Sequence, residues 1–331
     1  MDFISDVFHI NNEYEFNSLC LKVFHFQYQH NPVYQNFVNH LFQRKKIKID
    51  NITHYTQIPF LPIDFFKYHQ ILFANQKPEL FFESSGTTQS VKSRHFIYDI
   101  SIYQKSILSS FTKFYGHPEN YLFIFLLPNE KERPHSSLIY MAKYLQSFSK
   151  YHESVFYLND LRTAKDIISN YQNTNTKIFI LGLSYALIDF SEYKLSLNDN
   201  NIIVMETGGM KGKREEMPKK IFHNYLKNKL GLSKIHSEYG MTELLSQAYS
   251  QENGIFETPP WMKILVRDTD DPFAIFTQNK QGIVNVIDLA NVYSCSFIAT
   301  SDVGRIYDNG KFEILGRSDF SDLRGCNLMY S

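Results

Sequence analysis

The sequence predicts an α/β fold: a mostly parallel sheet with flanking helices, followed by a small C-terminal antiparallel β subdomain. From about residue 80 to residue 236, short runs rich in Phe, Ile and Val alternate with amphipathic stretches of helical spacing. That alternation is typical of parallel strands connected by helices. After about residue 255 the apolar runs become shorter, and turn signals such as Asp270-Asp-Pro272 and Asp308-Asn-Gly310 separate them. These signals favour antiparallel hairpins.

The chain has 331 residues, of which 43% are hydrophobic, and its 34 basic residues balance 34 acidic ones. This length permits one large domain or two of ordinary size with a substantial core. Because there is no basic excess to hold a polyanion, we expect neither nucleic acid nor an anionic membrane surface as partner. Any nucleotide must therefore bind at a local site.

The cysteines are Cys20, Cys295 and Cys326, and no C-x-x-C pair occurs. Their spacing excludes zinc-ribbon and thioredoxin-like sites, and the odd, sparse count fits a reducing compartment. The N-terminus has no basic region followed by an apolar run, and the longest apolar stretch is about Tyr121–Pro128. This is far below the roughly 20 residues of a transmembrane helix, so we expect a cytoplasmic chain with no membrane span.

The N-terminal residues 1–78 are predicted to form a helical segment packed on the core. Apolar positions at helical spacing run from residue 12 to residue 46, and Asn31-Pro32 breaks them into two helices. The two prolines of Ile58-Pro-Phe-Leu-Pro62 indicate an extended entry before a short helix.

The α/β core is expected over residues 79–255, the β subdomain over 256–315, and a hinge-like tail over 316–331. Core strands are predicted at Tyr121–Leu127, Val155–Leu158, Lys177–Leu181, Ile202–Met205 and Ser233–His236. Core helices are predicted at Ser101–Phe114, Ser136–Phe148, Leu161–Tyr171, Tyr185–Tyr193 and Arg214–Lys227. Subdomain strands are predicted at Met262–Val266, Phe273–Phe276, Ile283–Ile287, Ser296–Ala299, Arg305–Tyr307 and Phe312–Ile314.

Hydroxyl side chains are densest in Phe82-Glu-Ser-Ser-Gly-Thr-Thr-Gln-Ser-Val-Lys-Ser-Arg-His95. Apolar residues on both sides predict a loop between two strands. Phosphate oxygens only accept hydrogen bonds, so a loop rich in donors and cations suits a polyphosphate. The segment does not match the Walker sequence G-x-x-x-x-G-K-[ST]. A Ser/Thr-rich surface turn is the alternative.

Further motifs follow this loop in order: Glu206-Thr-Gly-Gly-Met-Lys-Gly212, His236-Ser-Glu-Tyr-Gly-Met-Thr-Glu243, Thr300-Ser-Asp-Val-Gly-Arg305 and Gly316-Arg-Ser-Asp-Phe-Ser-Asp-Leu-Arg-Gly325. Together they resemble the adenylate-forming superfamily of acyl- and aryl-CoA ligases. The chain is most similar to the acyl-protein synthetase (LuxE-type) branch, with phenylacetate–CoA ligases as cousins. The resemblance runs from about Ile58-Pro-Phe-Leu-Pro62 to the C-terminus. It implies a ligase that uses ATP and Mg²⁺ to convert a carboxylic acid, expected to be a fatty acid, into acyl-AMP.

The resemblance assigns the hydroxyl loop to the departing phosphates. The residues concerned are Ser84, Ser85, Gly86, Thr87 and Thr88, with charge from Lys92 or Arg94. Gly86 permits close backbone approach. Gln89 stands where the family usually has glycine, which leaves the mobility of the loop in question.

The resemblance assigns adenine to Gly208, Gly209 and Lys211, because paired glycines after a strand let a flat ligand lie against the backbone. An ordinary strand-to-helix turn is the alternative there.

The motif after the predicted strand Ser233–His236 contains Tyr239, Gly240, Met241, Thr242 and Glu243. The resemblance implies that Tyr239 stacks on adenine and that Thr242 donates to the α-phosphate. Glu243 would hold Mg²⁺, a hard cation that prefers oxygen ligands. The alternative is a helix start, where the dipole also favours an early glutamate.

Asp302 is assigned to the ribose, since a carboxylate can accept from both hydroxyls. Ser301 stands where the family usually has glycine, and a plain turn residue is the alternative. Arg317 would bind ribose or α-phosphate oxygen, or else pair with Asp319 or Asp322.

The tail indicates the class of reaction. In CoA ligases of the superfamily, a lid domain follows the equivalent of Gly316–Gly325 and brings a lysine to the adenylate. In this chain we expect neither the lid domain nor its lysine. A thiol near an arginine can gain thiolate character and become nucleophilic, and Cys326 stands two positions after Arg324. By the resemblance, Cys326 takes the acyl group and passes it to a partner protein or carrier thiol, with CoA as another acceptor. An inert tail cysteine is the alternative, and Cys20 and Cys295 are expected to be structural.

Three other functions stay open on the sequence. Gly182-Leu-Ser-Tyr-Ala186 mimics the nucleophile elbow of a serine acyltransferase or hydrolase around Ser184. Ala186 replaces the last glycine of that motif, and no convincing Asp…His pair follows. A CoA ligase that works without its own lid is the second alternative, and a non-catalytic scaffold is the third.

Overall fold

The computed structural model describes residues 3–74, 76–85, 91–197, 199–210, 213–215, 217–271 and 273–318. These residues divide into two compact units. The first unit combines the described residues up to Pro78 with those from Pro260 onward, and the second runs from Glu79 to Pro259. The N-terminal helices therefore belong to the same unit as the C-terminal strands.

The α-helices of the described chain are α1 (Phe3–Val7), α2 (Glu13–His30), α3 (Pro32–Lys45), α4 (Phe65–Tyr68), α5 (Ile100–Tyr115), α6 (Ser137–Gln146), α7 (Leu161–Tyr171), α8 (Ser184–Ser191) and α9 (Lys219–Leu230). The predicted break at Asn31 is confirmed. Its side-chain oxygen accepts from the N–H groups of Val33 and Tyr34 and so caps α3. None of the helices described is both long and apolar enough to cross a membrane.

The strands of the described chain are β1 (Leu61–Pro62), β2 (Leu80–Glu83), β3 (Arg94–Ile97), β4 (Tyr121–Leu126), β5 (Val155–Phe156), β6 (Lys177–Leu183), β7 (Ile202–Thr207), β8 (His236–Tyr239), β9 (Ala248–Ser250), β10 (Met262–Arg267), β11 (Ile275–Phe276), β12 (Lys280–Asp288), β13 (Phe297–Ile306) and β14 (Phe312–Arg317).

The sheet of the second unit has the strand order β5-β4-β6-β7-β8-β9. Its strands are parallel except for β9, which pairs antiparallel with β8. Every residue of β4 is buried, as expected for a parallel strand covered on both faces. The carboxyl ends of the parallel strands meet at one edge, which is where α/β proteins place their sites.

The sheet of the first unit has the strand order β1-β13-β12-β10-β11, with β14 pairing on β13. All pairs are antiparallel except β1 with β13. The predicted hairpin turn at Asp308 joins β13 to β14, and Gly310 has φ +75° there. The predicted fold class, a mostly parallel α/β sheet with an antiparallel β region towards the C-terminus, is confirmed.

Two strands that were predicted separately in the C-terminal region are one strand in the structure. The predicted strands Ser296–Ala299 and Arg305–Tyr307 are parts of one continuous strand, β13. Polar residues around Asp302 interrupt the apolar pattern, but Asp302 pairs with β14, and β12 pairs with Ala299 before it and Val303 after it. The β14 ladder shifts register between Val303 and Gly304. A Cβ at Gly304 would lie 2.8 Å from the carbonyl oxygen of Glu313, so a side chain would not fit at this shift.

The strand predicted at Ser233–His236 lies further along the chain, at His236–Tyr239. Its sequence is polar, and pairing with both β7 and β9 stabilises it as a strand. The helix predicted from Arg214 begins only at Lys219, directly after Pro218, which lacks a backbone N–H and is tolerated only at a helix start.

Candidate active site

The hydroxyl-rich loop connects β2 to β3, which pair antiparallel with Glu83 opposite Arg94. The N–H of Ser84 donates to the carbonyl of Ser93 at 3.0 Å. The N–H of Ser93 returns a bond to the Ser84 hydroxyl at 3.0 Å. The prediction of a loop between two strands is confirmed, and its two ends are held together. Ser85 is exposed.

Several of the predicted site residues lie outside the described residues: Gly86, Thr87, Thr88, Gln89, Lys211 and Cys326. Their assigned roles stay predictions.

Glu83 holds both predicted phosphate-binding cations at the base of the loop. Lys92 Nζ lies 2.7 Å from one carboxylate oxygen and Arg94 Nε lies 3.2 Å from the other. The Lys92 hydrogen bond, followed by that of Arg94, holds the pKa of Glu83 below its usual range despite partial desolvation. Sequence reasoning missed Glu83. The available signal was an acidic residue at the end of an otherwise apolar strand.

His95 connects this hairpin to the motif that follows β8. It is fully buried in β3, and its Nδ1 lies 2.9 Å from the carbonyl oxygen of Thr242. Because a carbonyl only accepts, Nδ1 carries the proton and donates. The structure therefore brings the predicted phosphate loop and the predicted Mg²⁺ segment together within the second unit.

The segment Tyr239–Glu243 begins at the end of β8. Tyr239 pairs with Ala248 of β9, and its ring contacts Phe256 edge-on at 6.0 Å. A Cβ at Gly240 would collide with the carboxylate of Glu238, so a side chain there would require that carboxylate to shift. Met241 and Thr242 are half-buried and Glu243 is buried.

Glu243 fits Mg²⁺ by donor type and by surroundings. No cluster of three or more His, Cys, Asp or Glu side chains suitable for a metal occurs among the described residues. Mg²⁺ usually binds through one or two carboxylates together with waters and substrate phosphates, and seldom in a cage built wholly of protein. Glu243 is a buried carboxylate that directly follows Thr242, and this is consistent with that mode.

The glycines assigned to adenine follow β7 directly. Gly208 and Gly209 have φ of +74° and +65°, in the left-handed region that favours glycine. Two residues earlier, the carboxylate of Glu206 is buried and lies 2.5 Å from Lys219 Nζ and 3.5 Å from His223 Nε2. Sequence reasoning quoted Glu206 as part of a motif but gave it no role.

Burial by itself would raise the pKa of Glu206, and its polar neighbours overcome this effect. The charge of Lys219 and hydrogen bonds from His223, Lys219 and Ser237 lower the pKa to about 2. The carboxylate is therefore ionised at any physiological pH.

Ser184 does not have the surroundings of a catalytic serine. It begins α8 after β6, as the elbow motif suggests, but its hydroxyl donates to Glu206 Oε2 at 3.3 Å. His223 contacts the other oxygen of the same carboxylate. A serine nucleophile needs the imidazole next to the hydroxyl and the carboxylate behind it. Here the carboxylate lies between the two, which disfavours Ser184 as the nucleophile.

Asp302 and Arg317 lie in the first unit and contact each other. Asp302 is buried within β13 and stands opposite Arg317 of β14, with Arg317 Nε 3.2 Å from its Oδ1. The N–H of Asp302 donates to the Thr300 hydroxyl at 3.1 Å. Asp302 was expected to follow the end of a strand, and that placement was wrong because β13 continues through it. The proposed alternative partners of Arg317, Asp319 and Asp322, lie outside the described residues.

Cys20 and Cys295 are buried free thiols, as expected for structural residues. Burial raises the pKa of Cys295 to about 12 and that of Cys20 well above its usual value. Because the thiolate is the nucleophile, neither is suited to accept an acyl group.

The fold matches solved structures of CoA ligases. A 2-hydroxyisobutyryl-CoA ligase in an open conformation, in complex with 2-HIB-AMP and CoA, has a TM-score of 0.65 and 10% identity, over 93% of this chain and 70% of that one. ATP-bound MatB from Rhodopseudomonas palustris has a TM-score of 0.53 and 14% identity, over 72% of this chain and 47% of that one. The chain thus spans about half the length of MatB. At these identities the likeness shows the fold alone.

No curated protein matches the sequence. The family model described as "Acyl-protein synthetase, LuxE" matches residues 7–331. Because this match covers nearly the whole sequence, the resemblance drawn from the motifs is confirmed, and the chain belongs to the LuxE family of acyl-protein synthetases.

Proposed function

We propose that this protein activates a carboxylic acid with ATP and Mg²⁺ and then transfers the acyl group to a thiol. The observation that carries the proposal is the 2.9 Å contact from His95 Nδ1 to the Thr242 carbonyl oxygen. It joins a donor-rich loop suited to phosphates to a segment suited to the α-phosphate and a metal. The family, and the ATP and acyl-AMP bound to proteins of the same fold, support the same reaction.

In the first half-reaction, a carboxylate oxygen of the acid attacks the α-phosphorus of ATP. The bond from the α-phosphorus to the bridging oxygen breaks, and pyrophosphate leaves with that electron pair. Ser84, Ser85, Lys92 and Arg94 hold the departing phosphates, together with Gly86, Thr87 and Thr88. Because charge grows on these oxygens as the bond breaks, fixed donors stabilise the transition state more than the ground state.

The nucleotide is held by groups at the carboxyl edge of the parallel sheet. Gly208, Gly209 and Lys211 bind adenine, and Tyr239 stacks on it. Thr242, within Gly240-Met-Thr-Glu243, donates to an α-phosphate oxygen. Bound at Glu243, Mg²⁺ would offset negative charge on the phosphates.

Asp302 accepts from the ribose hydroxyls, and Arg317 supplies positive charge to ribose or α-phosphate oxygens. Asp302 and Arg317 form an ion pair with each other. When the nucleotide binds, this pair either stays in place or is replaced by contacts to the nucleotide. Both roles stay predictions.

In the second half-reaction, the thiolate of Cys326 attacks the acyl carbon of acyl-AMP. The bond from that carbon to the phosphate oxygen breaks, AMP leaves, and the thiol proton passes to solvent. The enzyme-bound thioester then exchanges with a thiol on a partner protein or carrier. We propose a fatty acid as substrate.

Carboxylate-dependent exchange between ATP and labelled pyrophosphate tests the first half-reaction against a panel of straight-chain and aromatic acids. Exchange is expected with at least one straight-chain acid and is expected to be lost in Glu243→Gln. If ATP binds but no acid supports exchange, acid activation is refuted.

A second assay addresses the acceptor. With labelled acid and ATP, Cys326→Ser should retain exchange but lose acid-stable labelling of the protein. Retained labelling in that variant would contradict the assignment of Cys326. Product formed only when CoA is added would identify a CoA ligase instead.

A further inference from the structure

Glu206 lies near the carboxyl edge of the parallel sheet and contacts several neighbouring segments. It is the penultimate residue of β7 and is buried. Its polar neighbours come from separate segments: Ser184 from the start of α8, Lys219 and His223 from α9, and Ser237 from β8. A buried carboxylate stays ionised only while charged or hydrogen-bonding partners surround it. The contacts with these partners also fix the position of the Glu206 side chain.

One consequence concerns the turn that begins two residues later. Gly208 and Gly209 both have left-handed φ, and the chain enters this turn from β7. Thr207, between Glu206 and the turn, donates its hydroxyl to a carboxylate oxygen of Glu238 on β8. Glu206 thus contacts α9, and the next residue, Thr207, contacts β8. Together these contacts fix the chain where it enters the glycine turn.

A second consequence reaches Tyr239 through Lys219. The Lys219 ammonium lies 2.5 Å from Glu206 and 5.1 Å from the centroid of the Phe256 ring. Its alkyl chain packs on Gly254, where an added Cβ would lie 2.8 Å from Lys219 Cδ. Phe256 contacts the Tyr239 ring edge-on at 6.0 Å. A continuous series of contacts therefore leads from Glu206 to Tyr239.

We propose that the Glu206–Lys219 ion pair is a positioning device for the nucleotide base, setting the spacing between the Gly208–Gly209 turn and the Tyr239 ring. This inference rests on the proposed adenine role of these two groups. Glu206 and Lys219 touch no ligand themselves and act only through the turn and the ring. Misplacing a binding group by about 1 Å can cost orders of magnitude in efficiency, so the pair matters for base binding without contacting the base.

The test compares the binding of ATP, AMP and tripolyphosphate to the full chain by calorimetry. Lys219→Met removes the charge and keeps the length of the side chain, and Glu206→Gln keeps the shape of the carboxylate. Each is expected to weaken ATP and AMP binding about tenfold and to change tripolyphosphate binding less than about twofold. Lys220→Met, at the adjacent exposed position, is the matched control and should bind as the parent does.

Two further variants guard against a folding defect, because one unpaired buried charge is strongly destabilising. Glu206→Gln/Lys219→Met removes both charges together. Phe256→Leu leaves the ion pair intact and removes only the ring between Lys219 and Tyr239. Both are expected to show the same selective loss of base binding, and Lys219→Arg, which keeps the charge, should restore most of it.

Three results are decisive. Selective loss of ATP and AMP binding in the folded variants supports the positioning role. Equal weakening of ATP and tripolyphosphate, or unchanged ATP binding in a folded double variant, overturns it. A parent protein that binds neither ATP nor AMP refutes the proposed function, so the two failures are distinguishable.

Discussion

The imidazole of His95 donates from Nδ1 to the carbonyl oxygen of Thr242 across 2.9 Å, and the two residues are 147 positions apart in the chain. His95 is buried in the second strand of the hairpin, and Thr242 follows the strand β8. The hydrogen bond fixes the hairpin against the sheet edge at which the parallel strands end. In the proposed reaction, this contact keeps the phosphate-binding groups in register with the groups at the α-phosphate.

Replacing His95 should uncouple these two segments. His95→Phe keeps much of the volume and leaves the Thr242 carbonyl without this donor, a loss of about 1–3 kcal/mol in unfolding free energy. We expect pyrophosphate exchange to fall at least about tenfold because the reacting groups lose alignment. Denaturant unfolding and exchange rates measure the two effects.

His95→Asn supplies an amide N–H near the position of Nδ1 and should recover part of the exchange rate. His117→Asn, at an exposed histidine with no side-chain capping bond, is the control and should behave as the parent. Full exchange activity in a folded His95→Phe protein would contradict the coupling.

Glu83 should oppose phosphate binding, because its negative charge is paired with Lys92 and Arg94 before any ligand arrives. Glu83→Gln keeps the shape and removes the charge. All three side chains are partly exposed, so screening limits the effect, and we expect about threefold to tenfold tighter tripolyphosphate binding. Titration calorimetry at low and high salt measures it.

Glu119→Gln, at an exposed glutamate, controls for the change in net charge. If Glu83→Gln instead weakened tripolyphosphate binding, the carboxylate would be needed to hold the two cations in place.

His236 should make stability depend on pH in the mildly acidic range. Burial, together with the nearby charge of Lys234, lowers the pKa of His236 to about 4 in the fold from 6.5, although Asp199 opposes the shift. The unfolded chain therefore binds the proton more readily, and unfolding free energy falls as pH drops from 6.5 towards 4. The full loss is about 3 kcal/mol.

The measurement is urea unfolding between pH 4 and pH 7. His236→Asn should flatten this part of the curve, whereas His152→Asn, at an exposed histidine, should leave it unchanged. An unaltered slope in His236→Asn would show that other groups cause the dependence.

Asp302 should recognise the ribose hydroxyls. Asp302→Asn removes the charge that now pairs with Arg317, and we expect ATP affinity to drop about tenfold, because hydrogen bonds to a charged group are worth about 1.5–3 kcal/mol. The parent should bind 2′,3′-dideoxy-ATP more weakly than ATP, and the variant should bind the two alike. Asp50→Asn, at an exposed aspartate, is the control. Undiminished discrimination in Asp302→Asn would remove this residue from the ribose site.

Much of the fold could be predicted because the signals are local. The run Tyr121–Leu127 is apolar throughout, and a strand buried on both faces requires that. Asn31-Pro32 ends one helix and starts the next through a side-chain cap and a fixed φ, both of which act within a few residues. The motif order identified the family for a similar reason: each motif is a short stretch whose residues are set by the ligand it would bind.

The strand β8 could not be predicted correctly, because His236-Ser-Glu-Tyr has no apolar alternation and becomes a strand only by pairing with β7 and β9. Asp302 was expected to follow a strand for a related reason, since polar residues broke the apolar pattern of β13 while backbone pairing with β14 continued.

The sequence alone determined the class of fold, the helix break at Asn31 and the family to which the chain belongs. Only the tertiary structure decided that Glu83 pairs with both loop cations, that Ser184 faces a carboxylate, and that Glu206 is bound to Lys219 beside the glycine turn. Secondary-structure signals arise from residues a few positions apart, so they can be recognised in the sequence itself. Contacts between charged side chains depend on which strand ends meet, and that is settled only when the sheet has assembled.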